Sequence, residues 1–507
     1  MKKKIFNIIK LKEKLKNNKK KKIVLCHGVF DLFHIGHLRH LKFAKSLGDI
    51  LIVSLTKDKY INKGFGKPIF HEDLRAELMS SLSEVDYVVL NENETARFMI
   101  QQIKPHIYCK GKEYKNSEKD ITKNILIEKS EVKKYGGKIV FSDDIIFSSS
   151  KLINENFDIY SSEQNNTVQK IRKNFTIDDI VSCFEKISKL KILVLGEIIL
   201  DEYIFSDTIG KSGKDPILIL KELKKERYIG GAGSIAKNVS GFVKNNQISL
   251  ISYIGQKREN LKDINEYLGK NIKKYFVNKK NSRTILKRKY LDVVNNTKLL
   301  GVYDLNDQSL SQSDELKILK YLKNLSKKHD LIIATDYGHG LLTKKIAKYL
   351  TNSSKFITLN SQVNSVNIGY QTLKNYNNLH CLIINERELR HEYRDKKSSV
   401  KSLILQLAKE KNFKIILVTR GSSGSMLYEK KTKKFYICPA FANKVTDKIG
   451  AGDTLFTVFS LCIRCNVNIE LALFISSIAA AENIKEYANK KLVGSNLLFK
   501  TLSHVLK

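Results

Sequence analysis

The chain has no tryptophan and only four prolines and four methionines among its 507 residues. It also lacks any apolar run near the roughly 18–20 residues that cross a bilayer, which excludes an integral helical membrane protein. Cysteine is scarce as well: seven, odd in number and scattered. That argues against a disulfide framework and for a reducing compartment. Cys462 and Cys465 form a lone C-x-x-C with no second pair, read as buried helix cysteines rather than zinc ligands. Acidic residues are the other shortage, 52 against 90 Lys+Arg, for a net charge of +38. The excess is mostly lysine, spread along the chain beside abundant Asn and Ile. It therefore reads as biased residue usage rather than a basic patch, and no nucleic-acid partner is expected. Anionic small molecules would still be attracted. The N-terminus has no apolar core or cleavage site of a secretory signal. Ile5, Ile8, Ile9, Leu11 and Leu15 are spaced for one helix face, read as a solvated helix packing on the first domain. No membrane partner and a cytoplasmic location are expected.

What is present alternates. Short apolar runs at Lys22–Cys26, Ile50–Leu55, Tyr87–Leu90, Ile107–Lys110 and Lys138–Phe141 read as strands with helices between them. This is the pattern of a doubly wound parallel sheet, assigned to residues 1–157. Residues 158–187 are polar and read as a linker with a leading helix. A second series opens at Ile192–Leu195 and fills residues 188–507, with strands at Leu250–Ile254, Leu331–Ala334, Phe356–Leu359, Cys381–Ile384 and Ile415–Thr419. Tyr203–Tyr228 and Ser282–Tyr303 alternate apolar and polar residues, suggesting a small appended β-sheet.

Chemistry concentrates in two places. The segment from Cys26 to Lys45, CHGVFDLFHIGHLRHLKFAK, lies where the first strand hands over to the first helix, the edge where open α/β sheets bind ligands. Gly28 permits a tight turn, and Phe30 and Asp31 complete it. His34 and His37 bracket Gly36 at a helix start, a placement suited to polyphosphate. The segment resembles the signature of the cytidylyltransferase-like nucleotidyltransferases over residues ~20–157. The resemblance implies that His34 and His37 stabilise phosphate charge during in-line attack. It implies phosphate-binding roles for Lys110 and Gly111 in YCKGKEY and for Ser148, Ser149 and Ser150. The arginine usual before that serine run is missing; Asp143 and Asp144 stand nearby. Arg75, Lys63 and Lys67 fit either the family pattern or a solvated surface.

The second place is VTDKIGAGDTLF, from Val445 to Phe456. Gly450-Ala451-Gly452 offers free backbone N–H groups before a helix, and Asp453 follows at once, placed to take a hydroxyl proton. Its companions are Gly230-Gly231-Ala232-Gly233 before a helix with Asn238, the N-x-x-E of Asn385 and Glu388, and TRGSSGS with Thr419, Gly421 and Gly424. The set resembles the ribokinase-like (PfkB) sugar kinases over residues ~190–507. That implies Asp453 as base, Gly450, Ala451 and Gly452 as anion hole, and Asn385 and Glu388 organising magnesium and phosphate. Asp201, Gly230, Gly231, Asn238 and Asp336 would meet the sugar, and Thr419, Gly421 and Gly424 the nucleotide. No direct metal ligand is assigned, with Glu388 and Asp447 open as candidates for Mg2+. Arg283, Thr284, Lys287 and Arg288 fit either a hold on sugar phosphate or surface charge.

The implied fold is α/β: a Rossmann-like nucleotidyltransferase domain, then a ribokinase-like domain with a small β lid. The pairing, in reversed order, resembles the bifunctional ADP-heptose synthase family. That implies Mg2+ with ATP for the kinase and Mg2+ with ATP or CTP for the nucleotidyltransferase. Sugar phosphates and nucleotides would be the partners, with a homodimer allowed. Two other readings stay open: a polyol-phosphate cytidylyltransferase joined to an unrelated kinase, and a non-catalytic nucleotide sensor.

Overall fold

The computed structural model describes residues 4–18, 20–61, 67–112, 124–142, 160–258, 260–295, 297–364, 367–442, 447, 449–485 and 492–506. Ser148, Ser149, Ser150 and Lys63 lie outside them. The chain divides into two compact units, the first holding residues 1–161 and 499–507, the second residues 162–498.

The first unit runs β1 (Ile5–Phe6), α1 (Ile8–Lys16), β2 (Ile23–Gly28), α2 (Ile35–Ser46), β3 (Ile50–Thr56), α3 (Glu72–Ser81), β4 (Tyr87–Asn91), α4 (Arg97–Ile103), β5 (Ile107–Gly111), α5 (Asn124–Lys134) and β6 (Lys138–Ser142). Its sheet has the order β1-β4-β3-β2-β5-β6, and every pair is parallel. Strand β3 is buried along its whole length, as a strand covered on both faces must be. The order reverses between β2 and β5, so their carboxyl ends open a crevice there. The N-terminal segment differs from the single helix face expected of it. Ile5 belongs to β1, in register with Val88. Asn7 then caps α1, whose one buried residue is Leu11, while Ile9 is exposed.

The second unit opens within the stretch read as a linker with a leading helix. Residues from Ser162 form α6 (Ser162–Asn174) and α7 (Ile177–Ser188). The polar composition of α6 hides a stripe of two buried residues, Val168 and Ile171. Helix α7 starts on a Thr176–Asp179 capping box and buries Ile180, Cys183, Phe184 and Ile187. There follow β7 (Ile192–Gly196), β8 (Ile198–Lys211), β9 (Leu218–Gly230), α8 (Gly231–Ser240), β10 (Ile248–Gly255), α9 (Leu261–Leu268), β11 (Ile272–Lys279), β12 (Ile285–Asp292) and β13 (Thr297–Asp304). Then come α10 (Gln312–Ser326), β14 (Leu331–Asp336), α11 (Lys344–Thr351), β15 (Ile357–Ser361), β16 (Cys381–Asn385), α12 (Glu386–Tyr393), α13 (Val400–Glu410), β17 (Ile415–Thr419), β18 (Ser425–Glu429), β19 (Lys434–Cys438), α14 (Ala451–Arg464) and α15 (Ile469–Asn483).

Nine of these strands make one sheet, β11-β10-β7-β14-β15-β16-β17-β18-β19, parallel as far as β17 and antiparallel beyond. The two alternating stretches form a separate four-stranded sheet, β13-β12-β8-β9. The outer strand β13 leaves Leu299, Leu300 and Val302 exposed. Cys462 is buried and Cys465 half-buried at the end of α14, where Cys462 lies 3.9 Å from Cys183.

Candidate active sites

In the first unit the turn between β2 and α2 is tight enough to force Phe30 (φ 50°) and Leu32 (φ 41°) into the left-handed region. Backbone of that kind is uncommon outside glycine and clusters at functional sites. Asp31 was expected at the nucleotide. Instead it is buried, and its two oxygens accept the N–H groups of Ile69 (2.8 Å) and Phe70 (3.1 Å). Phe30 is also buried, its ring edge-on to His37 at 5.2 Å. Both residues therefore shape the turn. At Gly28 a Cβ would press on the Phe30 ring at 3.0 Å, so the glycine lets that ring pack close.

His34 is the N-cap of α2, and its Nδ1 accepts the Gly36 N–H at 3.1 Å. Burial lowers the His34 pKa, so the ring is neutral near pH 7. With Nδ1 accepting, the proton sits on Nε2, which becomes a donor. The His34 and His37 rings stack, centroids 3.9 Å apart at 17°. Across the crevice, Lys110 ends β5 beside Gly111, its ammonium 3.4 Å from Glu128. Burial works to raise Glu128, yet Lys110 and His27 hold it below its usual range. Arg75 is not a surface group. It is 1% exposed and donates to the carbonyls of Val29 (2.7 Å), Thr56 (2.9 Å) and Phe70 (2.9 Å) and to Asp58.

The second unit holds a cavity of about 370 Å³ lined by Asp201, Gly231, Lys287, Lys289, Gln362, Gly450, Gly452 and Asp453, among others. Gly450 (φ 86°) caps α14, so the N–H groups of its first turn have no partner within the helix. From Thr454 to Ile463 the helix is buried on all sides, which fixes its start rigidly. Asp453 accepts from Tyr337 and Gln362, each at 3.4 Å. Burial, reinforced by the charge of Asp201, pushes it up to about 7. Asp201 accepts from Lys289 at 2.5 Å, and a Cβ on Gly230 would strike its carboxylate at 2.5 Å. Gly231 (φ 58°) lets the chain pass the Glu197 carbonyl, which a Cβ would meet at 2.4 Å. Burial also lowers the pKa of Lys287, against the pull of Asp201.

Other expected residues stand behind this wall. Asn238 is buried and donates to Thr454 at 3.2 Å, joining α8 to α14. The Asp336 carboxylate accepts from Gly338 N–H (3.0 Å) and the Tyr376 hydroxyl (2.6 Å), and its neighbour Tyr337 lines the cavity instead. Asn385 and Glu388 form the capping box of α12, with reciprocal bonds of 2.9 and 2.7 Å. Burial, with Asp453 adding to it, pushes Glu388 up to about 7. Asp447 accepts from the Tyr203 hydroxyl and Lys298, both at 2.8 Å. That occupation ties it to β8 and β13, while the two Glu388 oxygens accept the Asn385 and Val363 N–H groups. Thr419 closes β17, and Gly421 (φ 57°) and Gly424 (φ 76°) turn the chain after it. Of the four groups that fit either a hold on sugar phosphate or surface charge, Arg283 pairs with Asp304, Arg288 with Glu202, and Thr284 accepts the Gly255 N–H. Lys287 alone of these lines the cavity. Sequence reasoning missed Lys289, Gln362 and Tyr337, whose distance from Asp453 along the chain leaves no local signal.

The second unit thus has the fold of a ribokinase-like domain. The pfkB family carbohydrate kinase model matches residues 189–490, more than half of the sequence, and the chain belongs to that family. The cytidylyltransferase-like model matches residues 25–156. Similar curated proteins include the bifunctional protein HldE of Helicobacter pylori strain G27, 49% identical over 117 residues, which is 23% of this chain and 25% of that protein. The bifunctional protein HldE of Aliarcobacter butzleri is 44% identical over 113 residues, 22% of this chain and 24% of that protein. The chain therefore spans about a quarter of the length of these relatives, in its N-terminal part. Among solved structures, a ribokinase from Arabidopsis thaliana aligns at 18% identity and TM-score 0.48, covering 63% of this chain and 99% of that one. Among the described residues, no helix is long and apolar enough to cross a membrane.

Proposed function

We propose that the chain is a bifunctional cytoplasmic enzyme that phosphorylates a sugar phosphate in its second unit and activates a sugar 1-phosphate with a nucleotide in its first. The observation that carries the reading is Asp453, held at a helix start in a cavity that also contains Asp201, Lys287 and Lys289. Asp453 accepts the proton of the attacking hydroxyl, while the N–H groups of the first turn of α14 hold the transferring phosphoryl oxygens. Lys287 and Lys289 suit a substrate carrying its own phosphate. ATP with Mg2+ would supply the phosphoryl group, and Glu388 is the residue proposed toward that ion.

In the first unit His34 Nε2–H and His37 stabilise phosphate charge, Lys110 exchanges Glu128 for a phosphate oxygen, and no covalent enzyme intermediate forms. ATP is the proposed nucleotide, with Mg2+, and ADP-heptose for a surface glycan the proposed product. The relatives named HldE and the pairing of the two domain families support this. The exposed β13 face would suit pairing of two copies. Incubating the purified protein with ATP or CTP and a panel of sugar phosphates, with products identified by mass, tests the whole reading. Phosphoryl transfer with no nucleotide sugar from any sugar 1-phosphate would remove its second half. Absence of both reactions would leave a nucleotide-sensing protein.

A further inference from the structure

Strands β2 and β5 lie side by side, and Cys26 is in direct register with Cys109. Residues so paired on parallel strands project from the same face of the sheet. Both cysteines are fully buried and share an apolar cluster with Leu41 and Ala44 of α2, the helix that covers this face. The same helix carries His40, one turn beyond His37. The two sulfurs and a ring nitrogen of His40 all lie within 4.8 Å of one another. No other such trio of His, Cys, Asp or Glu occurs among the described residues. The Ser142 hydroxyl is 2.8 Å from His40 Nδ1, the kind of outer contact that orients a ligating imidazole.

We propose that Cys26, His40 and Cys109 bind one zinc ion. Two thiolates and an imidazole match the soft, borderline preference of Zn2+, which holds sulfur at about 2.3 Å and nitrogen at about 2.0–2.1 Å. Binding forms two Zn–S bonds and one Zn–N bond and releases two thiol protons to solvent. The filled site is then electrically neutral, which suits an apolar core. A fourth position stays open for water or a side chain. The ion would clip β2, β5 and α2 together beneath the His34–His37 pair, so this is a positioning site rather than a catalytic one.

The test uses the full chain, stripped with a chelator under reducing conditions and reloaded. One Zn2+ per chain should bind and survive gel filtration, and the unfolding transition of the first unit should move up in temperature. Co2+ in its place should give thiolate-to-metal charge-transfer absorption. Cys109→Ser should abolish that absorption and the retained zinc, and His40→Gln should weaken both. Phosphoryl transfer by the second unit, unchanged in these variants, reports that the chain is intact. Cys183→Ser should leave the stoichiometry as it was, which separates the proposed site from the thiols of the second unit. The proposal is overturned if the reduced wild-type chain retains no zinc or its cobalt form lacks thiolate absorption. Binding that survives both Cys109→Ser and His40→Gln overturns it equally, as does a Cys26–Cys109 disulfide in protein alkylated at the moment of lysis. The wild-type measurements decide the matter even if Cys109→Ser fails to fold.

Discussion

The two units each place a helix start at the carboxyl edge of a parallel sheet, and they equip it in opposite ways. At α2 the cap is an imidazole: His34 accepts the Gly36 N–H, and His37 stacks on it. At α14 the cap is bare glycine, and the first charged side chain is the carboxylate of Asp453. Both starts offer backbone N–H groups to an anion. What differs is the proton. Burial keeps His34 neutral with a hydrogen to donate, whereas burial and Asp201 raise Asp453 so that it can accept one near neutral pH. On the proposed function, one kind of helix terminus would serve charge stabilisation in one unit and general-base chemistry in the other, according to the side chain beside it.

The comparison breaks most sharply at Asp453. Asp453→Asn should cost phosphoryl transfer about 10²–10⁴-fold while leaving nucleotidyl transfer intact, as measured by separate product assays. Equal loss of both would mean that the two helix starts are not independent. Next in size, His34→Asn keeps an N-cap acceptor for α2 but removes the imidazole donor. Nucleotidyl turnover should fall about 10²–10³-fold with little change in nucleotide binding or phosphoryl transfer. A defect in binding alone would demote His34 to a cap.

Smaller effects sharpen the contrast. Lys287→Met should raise KM for a phosphorylated sugar about 10–100-fold, the size expected for a lost charged hydrogen bond, and change the KM of an unphosphorylated analogue little. Equal change for both analogues would place the substrate phosphate elsewhere. For phosphoryl transfer, kcat/KM should climb about tenfold per unit up to pH 7 and then level, following ionisation of Asp453. For nucleotidyl transfer any such limb should lie at lower pH, because burial lowers the His34 pKa.

The same raised group affects stability. Folded Asp453 holds its proton to about pH 7, whereas in an unfolded chain it would lose it near ~3.9. Its contribution is therefore most favourable below the unfolded value and declines as pH rises through 7. Asp453→Asn should melt higher than wild type at pH 8, with the gap closing near pH 4.

Sequence alone carried the parts that are local. Alternating apolar runs specified the parallel strands of the two large sheets, because a strand buried on both faces must be apolar throughout. The alternation in Tyr203–Tyr228 and Ser282–Tyr303 matches the four-stranded sheet, whose strand from Ile198 is buried over its first seven residues and whose outer strand from Thr297 is exposed. H-x-G-H and G-A-G-D were legible because a helix start needs its cap, its glycine and its charged group within one turn. Even locally there were misreadings. Ile5 and Ile9 keep helical spacing but belong to a strand edge and an exposed face, and two buried residues sufficed to fold the polar α6. The tertiary structure decided everything that depends on residues far apart in the chain. It set Lys289 against Asp201 and brought Tyr337 and Gln362 to Asp453. It committed Asp31, Arg75, Asn238 and Asp336 to holding the walls. It also brought Cys26, His40 and Cys109 together from a strand, a helix and a second strand. Spacing along a chain encodes the period of one element; which elements become neighbours is settled only when the sheets close over their cores.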